Sequence, residues 1–164
     1  MTSPFHLNEP INLGQGRVLY PMTAVDAVAL GNASAQMEPY LRLGYSATAL
    51  STYLCKNDPG LHRYQIEVNS DPTGVLAIRH PWLRGPFVEM LAVLPKGQGQ
   101  GVGKATITWA LRHAQAHAAN FWATVSDFNT AGRAFWVAMG FSEVCALPDL
   151  VSRDSTEILL RRQL

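Results

Sequence analysis

Hydrophobic and polar positions change period several times along the chain, and each change marks an element. Tyr64, Ile66 and Val68 alternate with polar neighbours, as on a strand with one wet face. Residues 87–94 are almost uninterruptedly apolar and read as a central strand buried on both sides, with Glu89 its lone charge. Between 102 and 118, Ile107, Leu111, Ala114 and Ala118 step by four, three and four while Lys104, Thr108, Arg112 and Gln115 fill the other face, which predicts a helix laid on a sheet. Further strands are expected at 17–22, 75–80, 121–126, 141–147 and 156–164. One helix should start at Thr23, whose spacing to Asp26 is that of a capping box, and a second should cover 46–56, beyond the breakers Pro39 and Gly44. A short third helix is expected from a cap at Asn129 to a stop at Gly140. Asn57-Asp58-Pro59-Gly60 and Asp71-Pro72-Thr73-Gly74 read as turns. This order predicts an α/β fold, a mixed sheet with helices on both faces. Residues 1–16, with Pro4, Pro10, Gly14 and Gly16 and no period, are expected to form an irregular arm before a domain over 17–164.

The densest signal follows the central strand, where glycines stand at 97, 99, 101 and 103 directly before the helix. Backbone amides in such a turn, with the positive end of a helix dipole behind them, form a cradle for phosphate or diphosphate. Gly103-Lys104 has the end of a P-loop, but Gln98 occupies its first glycine position and Ala105 its magnesium-binding hydroxyl. The dinucleotide pattern G-x-G-x-x-G fails from Gly97, Gly99 and Gly101, which meet Val102, Lys104 and Thr106. Gln98-Gly99-Gln100-Gly101-Val102-Gly103 does fit Q/R-x-x-G-x-G/A. With the strand 89–95 before it and Asn129 through Gly140-Phe141 after it, the chain resembles the GNAT superfamily of acyl-coenzyme-A-dependent N-acyltransferases. The resemblance covers roughly residues 86–142 by motif and is architectural elsewhere.

It implies a mostly antiparallel central sheet, splayed to admit acetyl-CoA as acyl-donor cosubstrate. Amides of Gln98, Gly99, Gln100, Gly101, Val102, Gly103 and Lys104 would hold the diphosphate, and the backbone of Leu91, Ala92 and Val93 would pair with pantetheine beside a bulge. The family reaction is direct attack of a primary amine, of a small molecule or a peptide, on the thioester. For a lysine-like amine, reaching the neutral form at pH 7 costs about 4.6 kcal/mol, so a general base matters. Glu89 stands where many relatives carry a catalytic carboxylate, although an ion pair with Arg79 or Arg84 would explain it equally. Trp136 replaces the tyrosine that often protonates the departing thiolate, and indole cannot serve as that acid, so Trp136 is assigned to binding. Asn129 could contact pantetheine, cap its helix, or do both. Because the tyrosine is missing, a coenzyme-A-binding sensor or partner module with little activity stands as the alternative function. The helical wall over 24–56 and the connection 148–155 should shape the acceptor pocket.

Composition narrows the setting. The 164 residues, 48% of them hydrophobic, suffice for one core. A formal charge of +1 gives no reason to expect nucleic acid or a membrane as partner. Cys55 and Cys145, far apart and without CxxC spacing, read as reduced core thiols of a cytoplasmic protein. His113 and His117 have chelating spacing but lack the glutamate of H-E-x-x-H, so no metal is expected. An edge strand or the arm could build a homodimer.

Overall fold

A computed structural model describes residues 3–164. The strands are β1 (Ile11–Gly14), β2 (Arg17–Pro21), β3 (Leu61–Val68), β4 (Asp71–Trp82), β5 (Gly85–Val93), β6 (Asn120–Ser126), β7 (Ser142–Pro148) and β8 (Thr156–Gln163). The helices are α1 (Ala24–Ser34) and α2 (Ala47–Cys55) between β2 and β3, α3 (Val102–Ala114) between β5 and β6, and α4 (Thr130–Ala138) between β6 and β7. Caps set where the helices begin. The Thr23 side chain accepts from the Asp26 amide while Asp26 accepts from the Thr23 amide, and Ser46 and Asn129 accept from Ala49 and Gly132.

One sheet holds all eight strands in the order β1-β2-β3-β4-β5-β6-β8-β7, antiparallel throughout except between β5 and β6. Its two faces follow from the period of two along β4. Val75 and Ala77 pack with Ala27 and Leu30 of α1 and Leu54 of α2, whereas Leu76 and Ile78 pack with Ile107, Ala110 and Leu111 of α3 and Trp136 of α4. α1 and α2 approach closely because Gly31 faces Ser51, where an added Cβ would lie 2.6 Å from the hydroxyl.

Several expectations need correction. The expected irregular arm contains β1, which joins β2 through Gly14, Gln15 and Gly16, all at positive φ. Before it, Phe5 is fully buried among His62, His80, Trp109 and His113, and its carbonyl accepts the Tyr64 hydroxyl. The β3–β4 turn lies at Asn69-Ser70, both at positive φ, and not at 71–74, which are the start of β4. Pro72 is accommodated there because a register shift between Ile66 and Glu67 interrupts the ladder. Cys55 and Cys145 are exposed, not core. Cys55 ends α2 on its outer side, and Cys145 lies on β7, an edge strand almost wholly exposed.

Two irregularities in β5 prepare the site. The β4 register runs Ala77↔Met90 and then Ile78↔Val88, so Glu89 is the extra residue of a β-bulge. The bulge turns the strand over: Val88 joins the core under α3 and α4, and Met90 joins the core under α1 and α2. On its other edge β5 pairs with β6 only at Phe87↔Trp122 and Val88↔Ala123, although β5 continues to Val93 and β6 to Ser126. Past Val88 the two strands therefore diverge.

Candidate functional site

The divergence opens a cavity of about 900 Å³. It brings together most residues the sequence nominated: Glu89, Leu91, Val93, Gln98, Gly99, Gly101, Val102, Gly103, Lys104, Asn129 and Trp136 all line it. Ala92 and Gln100 do not. Ala92 is buried on the far face of β5, against α1 and α2, and Gln100 is exposed with its side-chain amide donating to the Lys96 carbonyl at 2.7 Å.

The glycine turn is pinned from outside and open within. Gln98 Nε2 donates to the Val93 carbonyl at 2.9 Å, fastening the turn to the end of β5. From β2, Arg17 donates to the carbonyls of Gln100 and Gly101, both at 3.3 Å. Gly99 and Gly101 take φ of +74° and +70°, and Gly101 is the N-cap of α3 in the left-handed conformation. Among the described residues, none of the six amides at 99–104 has an acceptor; the first committed N–H of the helix is that of Ala105, to Gly101. Free amides at the positive end of a thirteen-residue helix are the arrangement to which anions bind in general.

Glu89, the bulged residue, has both carboxylate oxygens engaged. Arg79 Nε donates to Oε1, and the Tyr53 hydroxyl of α2 donates to Oε2 at 2.8 Å. Arg79 also reaches Asp58 at 3.1 Å, so one guanidinium serves two carboxylates. Burial, followed by the Glu89 charge, pushes the Tyr53 hydroxyl well above the ordinary tyrosine range, so it acts as a hydrogen-bond donor and not as an acid. Arg133 pairs with Glu143 at 2.7 Å.

The family model described as the acetyltransferase (GNAT) family matches residues 30–141, well over half the chain. The chain belongs to the GNAT acetyltransferase family. Membership implies acyl-CoA-dependent acetyl transfer. Solved structures share the fold at low identity. An acetyltransferase from Thermus thermophilus superposes with a TM-score of 0.72 at 20% identity, covering 90% of this chain and 97% of that one. The ribosomal-protein-S18-alanine N-acetyltransferase of Escherichia coli gives 0.70 at 17%, covering 90% and 93%. Mycobacterium smegmatis RimJ, in complex with CoA-disulfide, gives 0.67 at 21%, covering 90% and 81%. A comparison with curated proteins finds no match.

The residues of this GNAT protein fit a coenzyme. A diphosphate needs several donors converging from one side, and the six free amides at 99–104 supply them beside Lys104. The edge of β5 vacated by β6 runs on from that turn. Trp136 is nearly buried against Phe135 and Phe141, and its indole N–H has no partner among the described residues. Asn129 Oδ1 is engaged by the Gly132 amide at 2.9 Å, so the cap is made.

Sequence reasoning missed the remaining polar groups of the GNAT cavity. Glu157 of β8 lines it at 5% exposure and accepts the hydroxyl of Ser126, its register partner on β6. Burial raises its carboxyl above the ordinary range, with the Ser126 hydrogen bond opposing. Tyr40 and Tyr45, from the α1–α2 connection, stand 6.0 Å apart edge to face, and burial followed by neighbouring charge raises both hydroxyls. Arg42 of that connection lies 4.1 Å over the Phe128 ring, tying it to the β6–α4 turn. Glu157 carries the same signal as Glu89, a lone carboxylate entering an apolar strand.

Proposed function

We propose that the protein transfers an acetyl group from acetyl-CoA to a primary amine of a small molecule or peptide, by direct attack within a ternary complex. The observation that carries this reading is the set of free amides at 99–104 opening onto the β5–β6 divergence. When bound, acetyl-CoA supplies an activated acetyl thioester. The amides of residues 99–104 and the Lys104 side chain hold its diphosphate, while Gln98, whose own amide already donates to the Pro95 carbonyl, keeps the turn in place; the backbone of Leu91, Ala92 and Val93 aligns the pantetheine, and Asn129 and Trp136 wall the channel. Glu89 accepts the acceptor's proton through a water. Arg79 and Tyr53 fix the carboxylate, and each oxygen keeps a second lone pair for that water. No tyrosine beside the cavity is made more acidic, and a thiol near pKa ~8.5 leaves without one. The exposed, unpaired cysteines fit a reducing cytoplasm.

Trp136 favours a second reading, a coenzyme-A-binding module with little turnover, because it fills the family's tyrosine position with a group that cannot protonate a thiolate. Thiol release with a broad panel of amines, run beside direct acetyl-CoA binding, separates the two. Release coupled to amine acetylation supports the enzyme; tight binding without transfer to any amine supports the module.

A further inference from the structure

Among the described residues the cavity contains one buried charge with no counter-ion, since Lys104 and Glu38, which also line it unpaired, are exposed. Glu89 and Asp58 share Arg79, and Glu38 is exposed and accepts from the Arg42 amide. Glu157 is buried, and among the described residues no Lys, Arg or His lies within ion-pair distance of it. Ser126 occupies one of its oxygens. The other accepts no hydrogen bond among the described residues, and Glu157 lines the cavity. An ionised carboxylate is costly to hold in such a place unless a cation completes it.

What surrounds it narrows the cation. Tyr40 and Tyr45 line the same cavity as Glu157, their ring centroids 6.0 Å apart. Tyrosine ring faces attract ammonium groups. Met37, Pro39, Leu43 and Val151 add apolar side chains to the lining, while Gln36 and Glu38 of the same connection, both exposed, supply its polar rim. One unneutralised carboxylate, two rings and an apolar wall match a single positive charge on a greasy body.

We infer that Glu157, with the rings of Tyr40 and Tyr45, anchors the protonated amine of the acceptor, and that the acceptor class is a monocationic amine with an aromatic or aliphatic body. This rests on the acetyltransferase reading of the same cavity and deepens it: Glu157 binds the cationic form, and proton removal stays with Glu89. Polyamines bring second and third charges for which this part of the cavity has no buried partner.

The test is binding, without acetyl donor. 2-Phenylethylamine, tyramine and hexylamine are titrated calorimetrically into the wild-type protein, Glu157→Gln and Tyr45→Ala, with 3-phenyl-1-propanol as the neutral analogue and spermidine as the polycation. At least one monoamine should bind the wild type, weaken about tenfold to a hundredfold in Glu157→Gln, as expected for a charge-assisted hydrogen bond, and weaken about twofold to fivefold in Tyr45→Ala. Coenzyme A affinity should be the same in all three proteins. Tyr45 is exposed, so its replacement keeps a folded variant in hand should Glu157→Gln fold poorly. Monoamine affinity indifferent to Glu157→Gln, a neutral analogue bound as tightly as the amine, spermidine bound more tightly, or no monoamine bound at all would each overturn the assignment. Failure to bind coenzyme A would instead remove the acetyltransferase reading, and the amine titrations would still report on Glu157.

Discussion

Gly101→Ala probes the turn proposed to hold the coenzyme. Gly101 holds φ +70° and ψ 14° as the N-cap of α3. An alanine in that left-handed conformation costs about 1–2 kcal/mol. The added Cβ would come 3.2 Å from Arg17 Nη1, the far end of a side chain that can move, so the cost is one of backbone and not of packing. The turn can shed this strain by giving up the two exposed 3.3 Å bonds from Arg17, together worth about 1 kcal/mol. Strain and relaxation are then nearly balanced, and the effect divides: stability falls by about 1 kcal/mol, lowering Tm by about 2–4 °C. The amides beyond residue 101 rotate off the diphosphate, and losing one charge-assisted hydrogen bond weakens acetyl-CoA roughly tenfold. Gly44→Ala is the control, since Gly44 has φ +77° with nothing within 4 Å of an added Cβ and lies in the α1–α2 connection. It should lose about 1–2 kcal/mol with no change in coenzyme affinity. Thermal melts and calorimetric titration measure both quantities. If Gly101→Ala destabilises as Gly44→Ala does and still binds acetyl-CoA like the wild type, the turn does not hold the coenzyme.

Three further outcomes are expected. Glu89→Gln should lower turnover at neutral pH by about 100-fold while leaving the acetyl-CoA dissociation constant within about twofold, and unchanged turnover across the pH range would remove Glu89 from the mechanism. Phe5→Ala should cost about 3–5 kcal/mol in denaturant unfolding, because the fully buried ring belongs to the main core; a cost under about 1 kcal/mol would show the arm to be loosely laid on. Burial, with His6 and His80 adding, lowers His62 to about 4 from its ordinary 6.5, and Arg63 and Asp58 also face it. The unfolded chain therefore takes up this proton first as pH falls. Stability from neutral His62 is full above pH ~6.5 and is lost toward pH ~4, a span on the order of 3 kcal/mol. His62→Leu should flatten the Tm profile across that window, and an unaltered slope would refute the assignment.

The parts of the site written in contiguous residues were legible, and those assembled across the sheet were not. Thr23 with Asp26, Asn129, and the turn at 97–104 are local chemistry, and each occupies the place its spacing indicated. A bulge in this strand was implied by the family resemblance, but its position at Glu89 left no trace in the hydrophobic pattern, because a strand apolar on both faces reads the same before and after a one-residue slip. Glu157 acquires meaning only from its register opposite Ser126 and from the β6–β8 pairing, which puts the last strand of the chain inside the sheet. That same pairing leaves β7 at the edge and Cys145 exposed, though Cys145 sits in an apolar sequence. Phe5 was hidden for another reason: a single aromatic among prolines and polar residues carries no period, yet it fills a gap between β3 and α3.

The most direct measurement is a titration of coenzyme A into ¹⁵N-labelled protein, following the backbone amide resonances. The account predicts saturable shifts concentrated at residues 99–104, with smaller ones along Leu91 and Val93. No saturable change in folded protein, or changes confined to residues away from this turn, would contradict it.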